Sequence, residues 1–242
     1  MFERFVQKLL TEGIGHKEFR YCKRLDALIP REWAVVSIYD IKANVKGAIV
    51  SGPFGSNIGK RFFVEEGIPV IRGNNLTLGE KLFIEEGFVF VTEEKAEELK
   101  SCTALPQDLV FTAAGTVGQV GLIPDNCRFP KYIISNKQLR ARIDRNQAYP
   151  LFLFYWFSSP MIKKIINRRK RGTSIPVINL SVLKSLPVLL PPLSEQKRIA
   201  KILTTVDEKL RLDRKKREKM KRVKGGLMDD FLTGKRRVKV AM

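Results

Sequence analysis

Residues 191–232 read PPLSEQKRIAKILTTVDEKLRLDRKKREKMKRVKGGLMDDFL, and this stretch sets the architecture. After Pro191-Pro192 no proline occurs and glycine appears only at 225, 226 and 234, so a long helix is expected from there on. Ser194 is a suitable N-cap, and Glu195 puts negative charge in the first turn, where the helix dipole favours it. A seam with 4-3 spacing runs through Ile199, Leu203, Val206, Leu210, Asp213, Arg217, Met220, Lys224, Leu227 and Phe231. The 39 residues from Ser194 to Leu232 make a rod of about 58 Å at the usual helical rise. Such a rod cannot bury its seam alone. It needs its own globular domain, another protein or a second copy.

Upstream the texture differs. Trp33–Ile38, Ile68–Ile71, Leu82–Val91, Asp108–Ala113 and Gln138–Ile143 read as strands, punctuated by Gly, Pro and Asn. Helices are expected at Glu93–Lys100 and Pro150–Asn167, and another at residues 1–11, where Phe2, Phe5, Val6, Leu9 and Leu10 recur at helical spacing. The reading is α/β, a mixed α+β globular domain followed by a long coiled-coil-like helix. Its parts are a short N-terminal helical segment (1–20), a globular domain (21–190), and the long helix with a basic tail (191–242). The two chain ends also resemble each other, VQKLLT at 6–11 and MDDFLT at 228–233, each followed by a glycine.

Of the 242 residues 44% are hydrophobic, with fifteen Phe, which is enough to fill a core and excludes global disorder. Forty-five Lys and Arg against twenty-five Asp and Glu leave a net charge of +20, which makes nucleic acid the first partner to test. The apolar runs at 151–157 and 188–193 are too short to span a membrane, and MFERFVQKLL lacks the pattern of a secretory signal. Cys22, Cys102 and Cys127 are odd in number and widely spaced, which reads as reduced thiols of a cytoplasmic protein rather than a disulfide framework or zinc knuckle. His16 is the single histidine, without a second histidine or a close cysteine, and is read as structural; no metal site is expected. Phosphate-binding, dinucleotide, zinc-protease and nucleophile-elbow motifs are missing, as is the Asn/Asp-Pro-Pro-aromatic motif of adenine methyltransferases, so binding without chemistry is expected.

Charge is concentrated. Met161–Arg171 carries Lys163, Lys164, Arg168, Arg169, Lys170 and Arg171 with no acid, a local +6 ending in Gly172-Thr173-Ser174. This run, with Lys60 and Arg61, is the candidate phosphate footprint, against the alternative of a solvated helix face. Arg211–Lys224 adds nine basic residues against Asp213 and Glu218, net +7, either a solvated face or backbone contact with DNA. Glu85–Glu98 holds six Glu and one Lys and is expected to face away from phosphate or toward a basic protein. Three glycine-flanked polar loops, at 51–57, 72–75 and 112–118, supply candidate base readers in Arg72, Asn74, Asn75, Thr112 and Thr116. The alternative is that these glycines and asparagines only make turns.

In order, SGPFGSNIGKRFFVEEGIPVIRGNNL (51–76), LPQDLVFTAAGTVGQVGLIP (105–124) and ISNKQLRAR (134–142) resemble a target-recognition domain of a type I restriction-modification specificity (S) subunit. PVINLSVLKSLPVLLPPLSEQKRIAKIL (176–203) is similar to that family's passage into a spacer helix, GLMDDFLTGKRRV (226–238) to the end of one, and LLTEGIGHKEF (9–19) to the segment leading out of one. Gly55, Gly118, Glu195 and Gln196 match the family framework. The resemblance implies a non-catalytic reader of double-stranded DNA, with no cofactor of its own. It also implies partner methyltransferase (M) subunits using S-adenosylmethionine, and restriction (R) subunits using ATP and Mg. The usual S subunit resembles two recognition domains and two spacer helices in tandem, whereas this chain has room for one of each. A homodimer through antiparallel helices is therefore expected, pairing Ile199 with Phe231 of the partner, Leu203 with Leu227, Leu210 with Met220, and Asp213 with Arg217. The specificity chain of a type II modification system and a non-specific basic scaffold remain as alternatives.

Overall fold

The computed structural model describes residues 2–78, 81–116, 118–168 and 178–237. The chain divides into two units, Met1–Ala200 and Lys201–Met242, so the N-terminal segment belongs to the same unit as the globular domain.

In chain order the first unit holds α1 (Phe2–Glu12), β1 (Phe19–Cys22), β2 (Ala27–Pro30), β3 (Ala34–Ser37), β4 (Ile49–Ser51), β5 (Ile68–Ile71) and β6 (Val89–Val91). Next come α2 (Glu93–Glu98), β7 (Thr103–Ala104), β8 (Leu109–Thr112), β9 (Val120–Leu122), β10 (Tyr132–Ile134) and β11 (Gln138–Ala141). The last elements are α3 (Pro150–Ser158), α4 (Pro160–Arg168), α5 (Leu180–Lys184), β12 (Pro187–Leu190) and the start of α6 (Leu193–Leu232). Two four-stranded sheets, ordered β6-β5-β10-β7 and β4-β11-β8-β9, form the centre, and β5 with β10 is a parallel pair. Small antiparallel pairs, β1-β2 and β12-β3, complete the unit. Every residue of β5, β8, β10 and β11 is buried, which fits the near-continuous apolar sequences of β5, β8 and β10, whereas β11 buries Gln138 and Arg140 beside Leu139 and Ala141. The fold class is the mixed α/β one expected, with the long C-terminal helix in place.

The short strands β1, β2, β4, β7, β9, β10 and β12 lie outside the sequence reading, and three expected elements differ from it in their bounds. The single helix expected at Pro150–Asn167 is two, broken at Ser159-Pro160. Ser159 is extended (φ −67°, ψ 150°), because a residue preceding proline is pushed out of the helical region. Its buried hydroxyl then accepts from the Ile162 amide and starts α4. The strand expected at Leu82–Val91 is present only at Val89–Val91, because residues 84–86 wrap around the buried Asn75 side chain. The long helix starts at Leu193, so Ser194 lies in its first turn rather than capping it.

The root of α6 is fixed by two adjacent side chains. The Glu195 carboxylate accepts from the Ile14 amide (3.0 Å), His16 Nε2 (2.8 Å) and Trp33 Nε1 (3.2 Å). Gln196, fully buried, accepts from the Tyr149 amide at 2.8 Å and donates to the carbonyls of Gln147 (3.2 Å) and Pro191 (2.8 Å). His16 Nδ1 lies 2.9 Å from Glu32, and the imidazole stands edge-on to Trp33. Gly13 turns at φ +69°, and a Cβ there would lie 2.4 Å from the Trp33 ring and 2.7 Å from Glu195 Oε1. Ile199 and Ala200, the next turn of the helix, are wholly buried.

Gly13→Ala is therefore expected to destabilise the protein by at least about 2 kcal/mol in chemical denaturation, since it combines a left-handed backbone with a collision. The pH dependence has a definite sign. Burial works against protonation of His16, but the hydrogen bonds and charges of Glu195 and Glu32 together raise its pKa above 6.5. The resulting stabilisation is complete below 6.5 and disappears as pH rises through the raised folded value. Thermal midpoints should fall across that interval and lose that component in His16→Gln; a wild-type slope in the variant would assign it to other groups.

Candidate nucleic-acid interface

Five segments far apart in sequence are strung together by hydrogen bonds at one edge of the first unit. The loop after β4 docks on the β10–β11 turn through Gly52 N to Gln138 O (2.9 Å) and Asn136 Nδ2 to Gly55 O (3.5 Å). A Cβ at Gly52 would lie 1.8 Å from the Ser135 carbonyl oxygen, so this approach requires glycine. The same turn accepts the Ala113 amide at Lys137 O (2.8 Å), joining the β8–β9 hairpin. The hairpin in turn reaches residues 76–77 through Gln119 Nε2 to Leu76 O (3.2 Å) and Val120 N to Thr77 O (3.0 Å). Finally Lys163 of α4 donates from Nζ to Leu78 O at 2.7 Å.

Asp and Glu are absent from residues 52–62, 72–78, 112–119, 135–138 and 160–168. Lys60, Arg61, Arg72, Lys137, Lys164 and Arg168 are exposed within them. Exposed cations without a carboxylate in these segments suit a polyanionic backbone, and exposed Glu86 stands beside Gly87, which Asn74 contacts. Asp26 marks its border. A hydrogen bond from Tyr21, and then the charges of Arg168 and Lys164, hold its carboxyl below the usual range, and Arg168 lies 3.7 Å away. Arg168 is thus paired within the chain, which the acid-free sequence run did not reveal. Arg169, Lys170 and Arg171 lie outside the described residues.

The candidate base readers separate into two groups. Arg72, Asn74 and Thr116 are exposed, with Asn74 Nδ2 donating to Gly87 O at 3.1 Å. Asn75 and Thr112 are corrections. Asn75 is fully buried; its Oδ1 accepts from the Arg72 amide (2.9 Å) and its Nδ2 donates to the carbonyls of Ile84 and Glu86 (3.0 Å each), which uses its hydrogen-bonding groups to shape the loop. Thr112 is 2% exposed and donates to Gln119 Oε1 at 3.0 Å. Neither side chain can reach a base. The sequence reading overlooked Asn136 and Lys137, which lie on the rim because their turn receives both the β4 loop and the β8–β9 hairpin. Their signal was the polar turn between two apolar strands.

In the second unit the helix is exposed along most of its length. Met220, Leu227 and Phe231 are 56%, 39% and 47% exposed, and Asp213 and Arg217 are also exposed. Val206 and Leu210 are half-buried. Ile199 and Leu203 are 0% and 1% exposed in the single chain, so neither offers a free side chain for the expected pairing with Phe231 and Leu227 of a second copy. The helix stops at Leu232, where Gly234 turns at φ +72°.

Among the described residues no cluster of three or more His, Cys, Asp or Glu side chains is placed to hold a metal, and no helix is long and apolar enough to cross a membrane.

Residues 30–222 match the family model for the type I restriction modification DNA specificity domain. The chain is 28% identical over 239 residues to the putative type I restriction enzyme MjaX specificity subunit of Methanocaldococcus jannaschii, covering 97% of this chain and 50% of that protein. It is 28% identical over 246 residues to the type I restriction enzyme MjaVIII specificity subunit of the same organism, covering 97% and 53%. Among solved structures, the HsdS subunit from Thermoanaerobacter tengcongensis has a TM-score of 0.59 at 14% identity, covering 95% of this chain and 49% of that one. A chain from a study of type I R-M assembly and conformational transition has a TM-score of 0.62 at 16% identity, covering 95% and 52%. These structures share the fold. The chain spans about half the length of the curated relatives it matches.

Replacing Lys60, Arg61 and Lys164 by Ala should weaken binding to duplexes of any sequence about equally. The log-log salt slope should flatten by about 0.9 for each phosphate that is no longer neutralised, measured by fluorescence anisotropy across a salt series. Wild-type affinity and slope in the triple variant would place the footprint elsewhere.

Proposed function

The chain belongs to the type I restriction modification DNA specificity family, and on that premise we propose that it is a non-catalytic, sequence-specific DNA-recognition subunit. It directs methyltransferase subunits, and through them restriction subunits, to a split target site. The acid-free rim of hydrogen-bonded loops carries this reading. It combines exposed cations for phosphates with Arg72, Asn74 and Thr116 as polar groups for base edges. S-adenosylmethionine, ATP and Mg belong to the partner subunits in this reading, and the chain's task is to bind and orient. Residues 21–190 are the reader and 191–242 the spacer, working in the cytoplasm, where free thiols such as Cys22, Cys102 and Cys127 stay reduced.

The exposed apolar side chains from Met220 to Phe231 favour a helical partner along the outer part of α6. A second copy running antiparallel, in a register that pairs the outer parts of the two helices rather than Ile199 and Leu203, meets that need and puts two readers on one DNA. Two identical readers related by a dyad require matching half-sites.

Selection from random-sequence duplexes by the chain with its methyltransferase subunits, joined to sedimentation at physiological salt, tests the reading. A bipartite inverted repeat bound by a dimer is expected, and Arg72→Ala should cost about 1–3 kcal/mol at one base pair of each half-site. Salt-dependent binding without any consensus would leave a non-specific basic scaffold, and an asymmetric consensus bound by a monomer would remove the dimer.

A further inference from the structure

We infer that Phe54 is an apolar reader of the duplex, its ring pressed into a DNA groove against the bases while the cations around it hold phosphates. This rests on the DNA-reading function proposed above and adds to it an interaction of a different chemical kind. Phe54 is 89% exposed, more than any other large apolar side chain among the described residues, and the next, Leu232, ends a helix. Its backbone is pinned on both sides. Gly52 and Pro53 before it are buried, Gly52 N bonds to Gln138 O, and the glycine presses on the Ser135 carbonyl. After it, the Asn57 amide donates to Phe54 O at 3.1 Å, Gly55 turns at φ +50°, and Gly55 O accepts from Asn136 Nδ2. The loop therefore fixes the backbone that carries the ring while giving the ring no packing of its own.

A ring in that position adds little to folding, since burial is what makes an aromatic side chain stabilising. Its surroundings are those of a nucleic-acid contact. Lys60 and Arg61 follow in the same loop, with the Arg61 guanidinium donating to Ser56 O at 3.4 Å, and Lys137 lies on the docked turn. An apolar side chain standing out of a loop that carries Lys60 and Arg61 and no acid matches duplex DNA, whose phosphates meet the cations while base steps or thymine methyl groups meet the ring. An apolar protein pocket would meet the ring but would have to bury those cations as well.

The test uses the full chain with its methyltransferase subunits and the consensus duplex selected by the wild type. Phe54→Ala should keep the wild-type thermal midpoint and salt slope, lower affinity for the consensus by about tenfold or more, and relax selection at one position of each half-site. Phe54→Trp should restore most of the loss. 2-Aminopurine placed along the duplex distinguishes the two modes: a wild-type fluorescence rise at one step, absent in Phe54→Ala, marks insertion between bases, and sensitivity to thymine-to-uracil replacement marks a methyl contact. A Phe54→Ala protein with the wild-type consensus and affinity overturns the inference and leaves the DNA-reading function standing. A wild type that selects no consensus overturns both.

Discussion

The carboxylate of Glu195 and the carboxamide of Gln196 anchor the first turn of the long helix within the first unit. Together they satisfy two backbone amides, two backbone carbonyls, an indole N–H and an imidazole, drawn from the N-terminal segment, the β2–β3 region, the approach to α3 and Pro191 just before α6. These partners are polar groups with little access to water, and leaving any one unpaired would cost more than a typical hydrogen bond contributes. Consecutive helix positions point about 100° apart, so two neighbouring side chains can engage different sides of the unit at once. The root of α6 is thereby fixed in its first turn, before the exposed stretch begins.

A second constraint operates on the loops. A rim built from five separate segments is useful as a binding surface only if the segments keep their relative positions, since a reader displaced by an ångström loses its hydrogen bond. Asn75, Thr112 and Gln119 supply that rigidity from within, by bonding to backbone and to one another. The polar residues of this surface therefore divide into those that hold the loops and those that remain available to a ligand. Inside the domain one carboxylate serves two cations: Asp108, just before β8, pairs bidentately with Arg142 at 2.9 and 2.8 Å and lies 3.7 Å from the buried Arg140, while the exposed cations of the rim face solvent, where a polyanion relieves their repulsion.

Much of this was legible in the chain itself. The long helix, the helical N-terminus, the strands β3, β5, β8 and β11 and the concentration of positive charge follow from local pattern, because periodicity, proline and glycine act within a few residues of where they stand, whereas the short strands β1, β2, β4, β7, β9, β10 and β12 do not stand out from the sequence around them. The break at Ser159-Pro160 was legible too, by the same pre-proline rule, although the run of apolar residues around it reads as one helix. The framework residues Glu195 and Gln196 stood out by resemblance, but their physical role could not be seen, since all their partners but the Pro191 carbonyl lie about 50 to 180 positions away.

Local pattern thus determined the longer helices, the strands β3, β5, β8 and β11, the mixed α/β class and the charge that points to nucleic acid. Tertiary structure alone decided which side chains of a given type serve which purpose. Asn74 and Asn75 are chemically identical neighbours, yet one faces solvent and the other is enclosed by three backbone groups. Ile199 and Phe231 occupy equivalent seam positions, yet one is wholly buried and the other half-exposed. Phe54 is one phenylalanine of fifteen, and only the pinned loop around it distinguishes it from the core. Burial and hydrogen-bond satisfaction depend on what the rest of the chain brings to a position, and that information is non-local.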